Sequence, residues 1–454
     1  MRNITNGGMP KGMMKAITAG CIGNVVEWID FALYGFVAPF IAAQFFPSGK
    51  PTIALLQTWG VFAVGYLSRP IGGLILGPYG DKHGRNKALA LTIILMGGAT
   101  GAIGLIPGHA TIGIFAPLLL ISMRLIQGLA MGGEWGAAVA FIYEVSPPNR
   151  RAFVMSFRAL GVTLGYSIGG SFITLAAMFL SPEAMRSWGW RLGFPVAFLT
   201  ALFGLYIRRR VTESPDFIKA KERKETTDTP LIDSVKYNKK AIMACIGMEV
   251  MLNSAWVVIY ILLPTTLTTL GVAYAFAVRV ATGTMWLASI VVLFCGWLAD
   301  KYSRKMLLAI VSIAYIVLAY PGFRVISTGN HWIIWGVFCG FSMIMGLLMG
   351  VVYVVMTEQF PVKTRNTSLS LANSINIAIT VGFGPLIVTF LTSVLHNDKP
   401  LASACYMIAG SVIGLIGVNC AKYPRVEAQS RELDVAREAD KVRVGIEAEA
   451  TKRE

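Results

Sequence analysis

Two carboxylates, Glu27 and Asp30, lie three residues apart in GNVVEWIDFALYG (23–35), inside an apolar run that extends from Ile17 to Phe46. On a helix that spacing puts both on one face. A run this long reads as a membrane span, because about 20 apolar residues at a 1.5 Å rise cross a hydrocarbon layer of about 30 Å. An acid in mid-span costs roughly 3 kcal/mol on insertion scales, so such groups as a rule face a bundle interior or a watery cavity and mark an ion or solute path. The competing reading is a pair that only bonds a neighbouring helix. Glu134 sits ~15 Å from Glu144 in another apolar run, and Arg69 sits ~18 Å from Asp81 in a third. All four gather near mid-membrane depth, where transporters built from repeats hold solutes and coupling ions.

Other polar groups share this depth. Arg158 is seven residues past Arg151, ~10 Å into its run. Its planar, permanent charge suits a bidentate grip on a carboxylate; the alternative is a salt bridge to Glu134 or Glu144 that only joins helices. Arg124, on one face with Gln127 and Met131, and Arg279 read as lying near outer helix ends, where packing and snorkelling are the default. In the second half Glu249 and Asn253 are four apart, and Asn373, Asn376 and Thr380 share a face. Asn253, Asn373 and Asn376 are candidates to hydrogen-bond a solute, or equally to bond helix to helix.

The elements that must position these residues follow from composition. Of 454 residues 55% are hydrophobic and only 14% charged, which excludes an ordinary soluble enzyme. Apolar runs fall at about 16–45, 54–78, 88–106, 112–143, 152–180, 189–207, 241–265, 274–298, 306–326, 331–357, 367–395 and 401–421. In lipid every backbone group needs an internal partner and no alternating barrel segments occur, so the spans are helices. The first run is too long for a signal peptide and holds two acids, so it counts as a span. The six cysteines (Cys21, Cys245, Cys295, Cys339, Cys405, Cys420) lack ligand spacing and read as small core residues. No metal and no cofactor is expected.

An even span count leaves both termini on one side. Of the 40 Lys and Arg residues, 31 fall in the termini and loops on that side and only 5 in the opposite loops. Both termini are therefore expected in the cytoplasm of a plasma (inner) membrane, and the net charge of +16 does not point to nucleic acid. The segment 208–240 divides the chain. Expected domains are a six-helix bundle at 1–207, a cytoplasmic linker at 208–240, a second bundle at 241–421 and a tail at 422–454. Across the divide motifs recur: Asp81 with Arg85 matches Asp300 with Arg304, and Glu144 with Arg151 matches Glu358 with Arg365. Two pairs at nearly one offset, 219 and 214 residues, imply like-oriented halves in a parallel repeat. The fold class is thus all-α membrane protein: twelve transmembrane helices in two six-helix parallel pseudo-repeats.

The loop GPYGDKHGRNK, its weaker copy ADKYSRK, RLIQG and the six-plus-six layout resemble the major facilitator superfamily. GNVVEWIDF, LSRPIGG, MGGEWG and RRRVTESPDF resemble its metabolite:proton symporter branch, and FFPSG, LLQTWGVFAVG and DKHGRNK look like the alpha-ketoglutarate permease pattern. Ile29 stands where the branch usually has an aromatic residue, and Ser303 replaces a glycine of the second loop. The resemblance implies that spans one and four line a central cavity. Asp30 first, then Glu134, then Glu27 are expected proton carriers there, the alternative for Glu27 being a structural partner. A carboxylate removed from water is able to load and release a proton, although a nearby arginine opposes this. Arg158 and Arg69 are expected to bind substrate. Asp81, Arg85, Asp300, Arg304, Glu144, Arg151, Glu358 and Arg365 suit a cytoplasmic gate that pairs in one state and parts in the other; the alternative is a set of topology anchors.

The expected function is secondary active transport, by alternating access, of a small carboxylate-bearing metabolite with protons, a dicarboxylate such as 2-oxoglutarate being preferred. The alternative is proton-coupled symport of a zwitterionic osmolyte such as proline or betaine. A membrane-embedded enzyme is disfavoured because the four histidines fall in loops without a Ser or Cys at useful spacing. A non-transporting sensor is disfavoured for want of an added soluble domain. No phosphate-cradling GxxxxGK[ST] loop is present to couple ATP. Expected partners are the solute, protons and lipid, with the chain acting as a monomer.

Overall fold

Amides and carbonyls find no water in hydrocarbon, and the described residues answer with helices. The computed structural model describes residues 11–73, 75–76, 85–131, 135–208, 230–395 and 398–423. Its main helices are α1 (Lys11–Phe45), α2 (Pro51–Leu67), α3 (Arg85–Leu105), α4 (Phe115–Ala130), α5 (Trp135–Val145), α6 (Arg151–Phe179) and α7 (Gly193–Arg208) in the first half. The second half holds α8 (Pro230–Trp256), α9 (Leu263–Thr269), α10 (Tyr274–Lys301), α11 (Arg304–Ile326), α12 (His331–Glu358), α13 (Val362–Asn376), α14 (Gly384–Val394) and α15 (Lys399–Cys420). α4 and α5 together make the fourth span. α8 runs into α9 through a π-helical turn at Val257–Ile261, and α13 into α14 through another at Ile377–Gly382. Each turn is followed by a proline, Pro264 or Pro385, at the start of the next helix, where a missing N–H is tolerated. α8 begins at Pro230, within the stretch expected to be linker.

The repeat shows in the packing. α1 lies against α6 as α8 lies against α13, α3 against α7 as α11 against α15, and α2 against α4 as α10 against α12. Small residues permit these approaches, since in lipid contact depends on close packing and not on expelling water. A Cβ at Gly128 of α4 would collide with the carbonyl of Gly65 in α2, and one at Gly169 of α6 would come within 2.7 Å of the Ile29 carbonyl in α1. These two contacts fix where α4 and α6 stand relative to Asp30.

The halves meet along α6 and α10, with α5 against α13 and α2 against the second π-helical turn. Large apolar side chains cover the outside: Ile290 is 72% exposed, Phe294 60% and Phe203 61%. A continuous exposed apolar belt is unusual for a protein in water and natural for one in lipid.

Candidate functional site

Asp30, 3% exposed, lies on the face of α1 turned toward α3 and α4. Gln127 of α4 donates from Nε2 to Asp30 Oδ2 at 3.0 Å and to Thr100 Oγ1 of α3 at 2.7 Å. One helical turn away, Arg124 donates from Nη1 to Gln127 Oε1 at 2.8 Å and stands 3.9 Å from Asp30 Oδ2. The guanidinium lies over the Tyr34 ring, 3.7 Å from its centroid, where the π face favours a cation. Asp30 Oδ1 and Arg124 Nε and Nη2 have no hydrogen-bond partner among the described residues. A small cleft beside them is lined by Phe31, Phe62, Tyr66, Arg124, Gln127 and Met131.

Arg124 is thus an ion-pair partner and not the peripheral packing residue expected. α4 starts at Phe115, which puts Arg124 ~14 Å inside the helix. Its spacing from Gln127, three residues on one face, was the usable signal. Arg69, 7% exposed, is close by: Nη2 lies 3.3 Å from Met131 Sδ, with the charge over Tyr66 at 4.3 Å and Phe31 at 5.0 Å.

A second cluster bridges the halves. Arg158 of α6 is 2% exposed, its charge 4.9 Å from the Trp135 ring and 5.1 Å from that of Tyr353 on α12. Glu249 of α8 is 1% exposed and lies within the field of Arg158. Arg158 Nε and Nη1 and Glu249 Oε2 lack hydrogen-bond partners among the described residues. Farther along, Trp28 of α1, Tyr166 of α6, Trp256 of α8 and Tyr260 of the first π-helical turn interlock edge to face or tilted, with centroids 5.1 to 6.2 Å apart. Glu249 was not singled out as a site residue. The 219-residue step relating Asp81 to Asp300 also relates Asp30 to Glu249, and this signal was available.

The asparagines of the second half bond one another. Asn253 donates to Asn376 Oδ1 at 2.6 Å, Asn376 donates to the Ile246 carbonyl at 3.1 Å, and Thr380 donates to Asn376 Oδ1 at 2.7 Å. Asn373 is 7% exposed on the same helix.

At the charged end of the bundle six of the eight expected gate residues form one network. Asp300 accepts the Ala152 and Phe153 amides at 3.0 and 2.9 Å, so an acid of the second half caps the N-terminus of α6 in the first. Arg304 reaches Asp300 at 3.4 Å and also pairs with Glu358. Arg365 donates to Glu144 at 2.7 Å, a link between halves. Arg151 donates to the Tyr143 hydroxyl at 3.1 Å, and the Arg365 charge lies 4.9 Å from that ring. Ser303 caps α11, accepting the Met306 amide. At the opposite end Thr174 and Thr282 approach to 2.9 Å, and Tyr274 donates to the Phe36 carbonyl at 2.9 Å. Contacts between halves therefore lie on both sides of the two buried clusters. Glu134 and Asp81 fall outside the described residues, as do the side chains of Glu27 and Arg85.

A family model described as Major Facilitator Superfamily matches residues 20–376 and 245–451. The proline/betaine transporter of Salmonella typhimurium is 33% identical over 420 residues, covering 89% of this chain and 82% of that protein. A glycine betaine/proline/ectoine/pipecolic acid transporter of Dickeya dadantii is 33% identical over 423 residues, with the same coverage of 89% and 82%. Among solved structures, a D-xylose-proton symporter superposes with a TM-score of 0.68 at 17% identity, covering 88% of this chain and 97% of that one.

These relatives overturn the dicarboxylate expectation, and with it organic acid transport: their named solutes include proline and betaine, which are zwitterions. The charges give a physical reason. A dicarboxylate calls for surplus positive charge, whereas Arg124 is paired with Asp30.

Proposed function

The chain belongs to the Major Facilitator Superfamily, and from that premise we propose that it is a proton-coupled symporter of a zwitterionic osmolyte such as proline or betaine. It is an integral membrane transporter of small organic solutes, not an enzyme. The single observation that carries the reading is Arg158: a buried guanidinium between the halves, with two N–H groups unbonded among the described residues and two aromatic rings against it. The solute carboxylate docks on those N–H groups, beside the Trp135 and Tyr353 rings.

Asp30 carries the proton. When it is ionised, Arg124 and Gln127 hold α1 to α4; when it takes up a proton, the Arg124 charge loses its counter-ion and that link slackens. Binding of solute and proton together thus biases one arrangement of the halves over the other, as a two-state device requires. The Asp300, Glu144 and Arg365 contacts form the cytoplasmic gate, both termini face the cytoplasm of the inner membrane, and the bundles at 1–207 and 241–421 are the rocking bodies of a monomer.

The test is uptake by proteoliposomes with an acid-outside gradient. Labelled betaine or proline accumulates, a protonophore abolishes accumulation, and 2-oxoglutarate in tenfold excess does not compete. Asp30→Asn loses accumulation but keeps exchange of internal for external solute. Accumulation by Asp30→Asn equal to the parent chain would falsify the role of Asp30.

A further inference from the structure

We propose that the solute has a second station, a cage of aromatic rings between the halves that takes its cationic group, about two helical turns from Arg158 on the side away from the charged end. The proposal rests on the reading of the solute as a zwitterion.

Tyr166 is eight residues past Arg158 on α6, and Thr174, which meets Thr282, is eight residues past Tyr166. At 1.5 Å per residue the ring layer stands ~12 Å along the helix from each, midway between the buried arginine and the contact that joins the halves at the far end. Tyr166, Trp256 and Tyr260 form a closed triangle with centroids 5.2, 5.1 and 6.2 Å apart, and Trp28 lies 5.3 Å from Trp256. Trp28 and Tyr166 belong to the first half, Trp256 and Tyr260 to the second. A cation over the middle of the triangle falls within the ~6 Å at which a ring attracts it, for all three rings at once. With the halves together, the positive edge of one ring rests on the negative face of the next. A quaternary ammonium group offers those faces the same kind of partner, and rocking of the halves gives it room to enter.

Two atoms set this layer apart from ordinary apolar packing. Tyr166 is 1% exposed and Trp256 3%, and neither the Tyr166 hydroxyl nor Trp256 Nε1 has a hydrogen-bond partner among the described residues. Buried donors are ordinarily satisfied, so two of them beside ring faces point to a ligand that carries an acceptor next to its positive charge. A zwitterion fits: its carboxylate accepts from the hydroxyl and the indole N–H while its ammonium group rests on the rings. Neutral donors hold a carboxylate less firmly than a guanidinium does, so the rings are occupied first and Arg158 second.

The probe is tetramethylammonium, a cation without a carboxylate, which tests the rings apart from Arg158. Its binding and that of glycine betaine are measured by titration calorimetry on purified full-length protein in detergent. The parent chain is expected to bind tetramethylammonium saturably, and Trp256→Leu to weaken that binding about tenfold or more. Arg158→Gln is expected to weaken betaine about tenfold and to leave tetramethylammonium within about twofold. Tyr166→Phe, which removes only the hydroxyl, is expected to weaken betaine about threefold and to spare tetramethylammonium. If Trp256→Leu is not monodisperse, Trp28→Leu, at a half-buried position, takes its place with a loss of about threefold. A parent chain that takes up betaine without binding tetramethylammonium, ring variants that bind it as the parent does, or its loss in Arg158→Gln overturns the station and leaves the osmolyte reading standing. A parent chain that takes up neither betaine nor proline overturns the osmolyte reading itself, and the inference with it.

Discussion

A carboxylate 3.0 Å from an amide and 3.9 Å from a guanidinium, away from water, depends on both neighbours for its charge. Removing one partner of a buried pair costs about 3–5 kcal/mol, because the survivor is left uncompensated. Arg124→Gln is accordingly expected to lower the melting temperature in detergent sharply, whereas Arg124→Gln combined with Asp30→Asn recovers most of the loss without recovering coupled uptake. A double variant as unstable as the summed single losses would show that the two residues do not interact. The sequence made Asp30 visible because an acid in an apolar run is conspicuous. Arg124 is not legible as its partner, because the pairing joins α4 to α1 across 94 positions and no local spacing contains it. Glu249 stands in plain view beside Asn253, but the cation whose field reaches it is Arg158, 91 positions earlier and on the other half, a relation no local pattern contains.

At the level of helices, two features carry the site. One is the contact of Gly128 with the Gly65 carbonyl, which sets Arg124 and Gln127 against α1. Gly128→Val forces α2 and α4 apart at a cost of roughly 1–3 kcal/mol, and proton-driven uptake is expected to fall at least tenfold while helix content by circular dichroism stays constant. The other is the Glu144 link to Arg365 at the charged end. Glu144→Arg alone puts like charges together and is expected to slow uptake; adding Arg365→Glu reverses the pair and restores the rate. Failure of the reversed pair to exceed both single variants would remove this link from the gate. The spans themselves were legible from hydropathy, and the meeting of the charged residues at that end from their recurrence. The π-helical turns were not, since Val257–Ile261 and Ile377–Gly382 continue the apolar run unbroken. Only Pro264 and Pro385 hinted that an ordinary helix ends there.

For the whole molecule, contacts between halves lie on both sides of the buried clusters, and alternating access requires each end to open in turn. Thr174→Cys with Thr282→Cys, and separately Glu144→Cys with Arg365→Cys, in a chain without its six native cysteines, are expected to cross-link on mild oxidation. Either cross-link should stop transport, and reductant should restore it; a cross-linked protein that still transports would refute rocking about the middle. The two-bundle plan was readable from the 219-residue echo, and what distinguishes the bundles was not. That difference has a consequence for protein engineering. A gene encoding the first bundle twice in tandem would pair each Asp30 with its own Arg124 and would bring two Arg158 guanidinium groups to the seam. Such a chimera would have every helix it needs to sit in a bilayer, and no carboxylate at its seam waiting for a partner from the opposite domain.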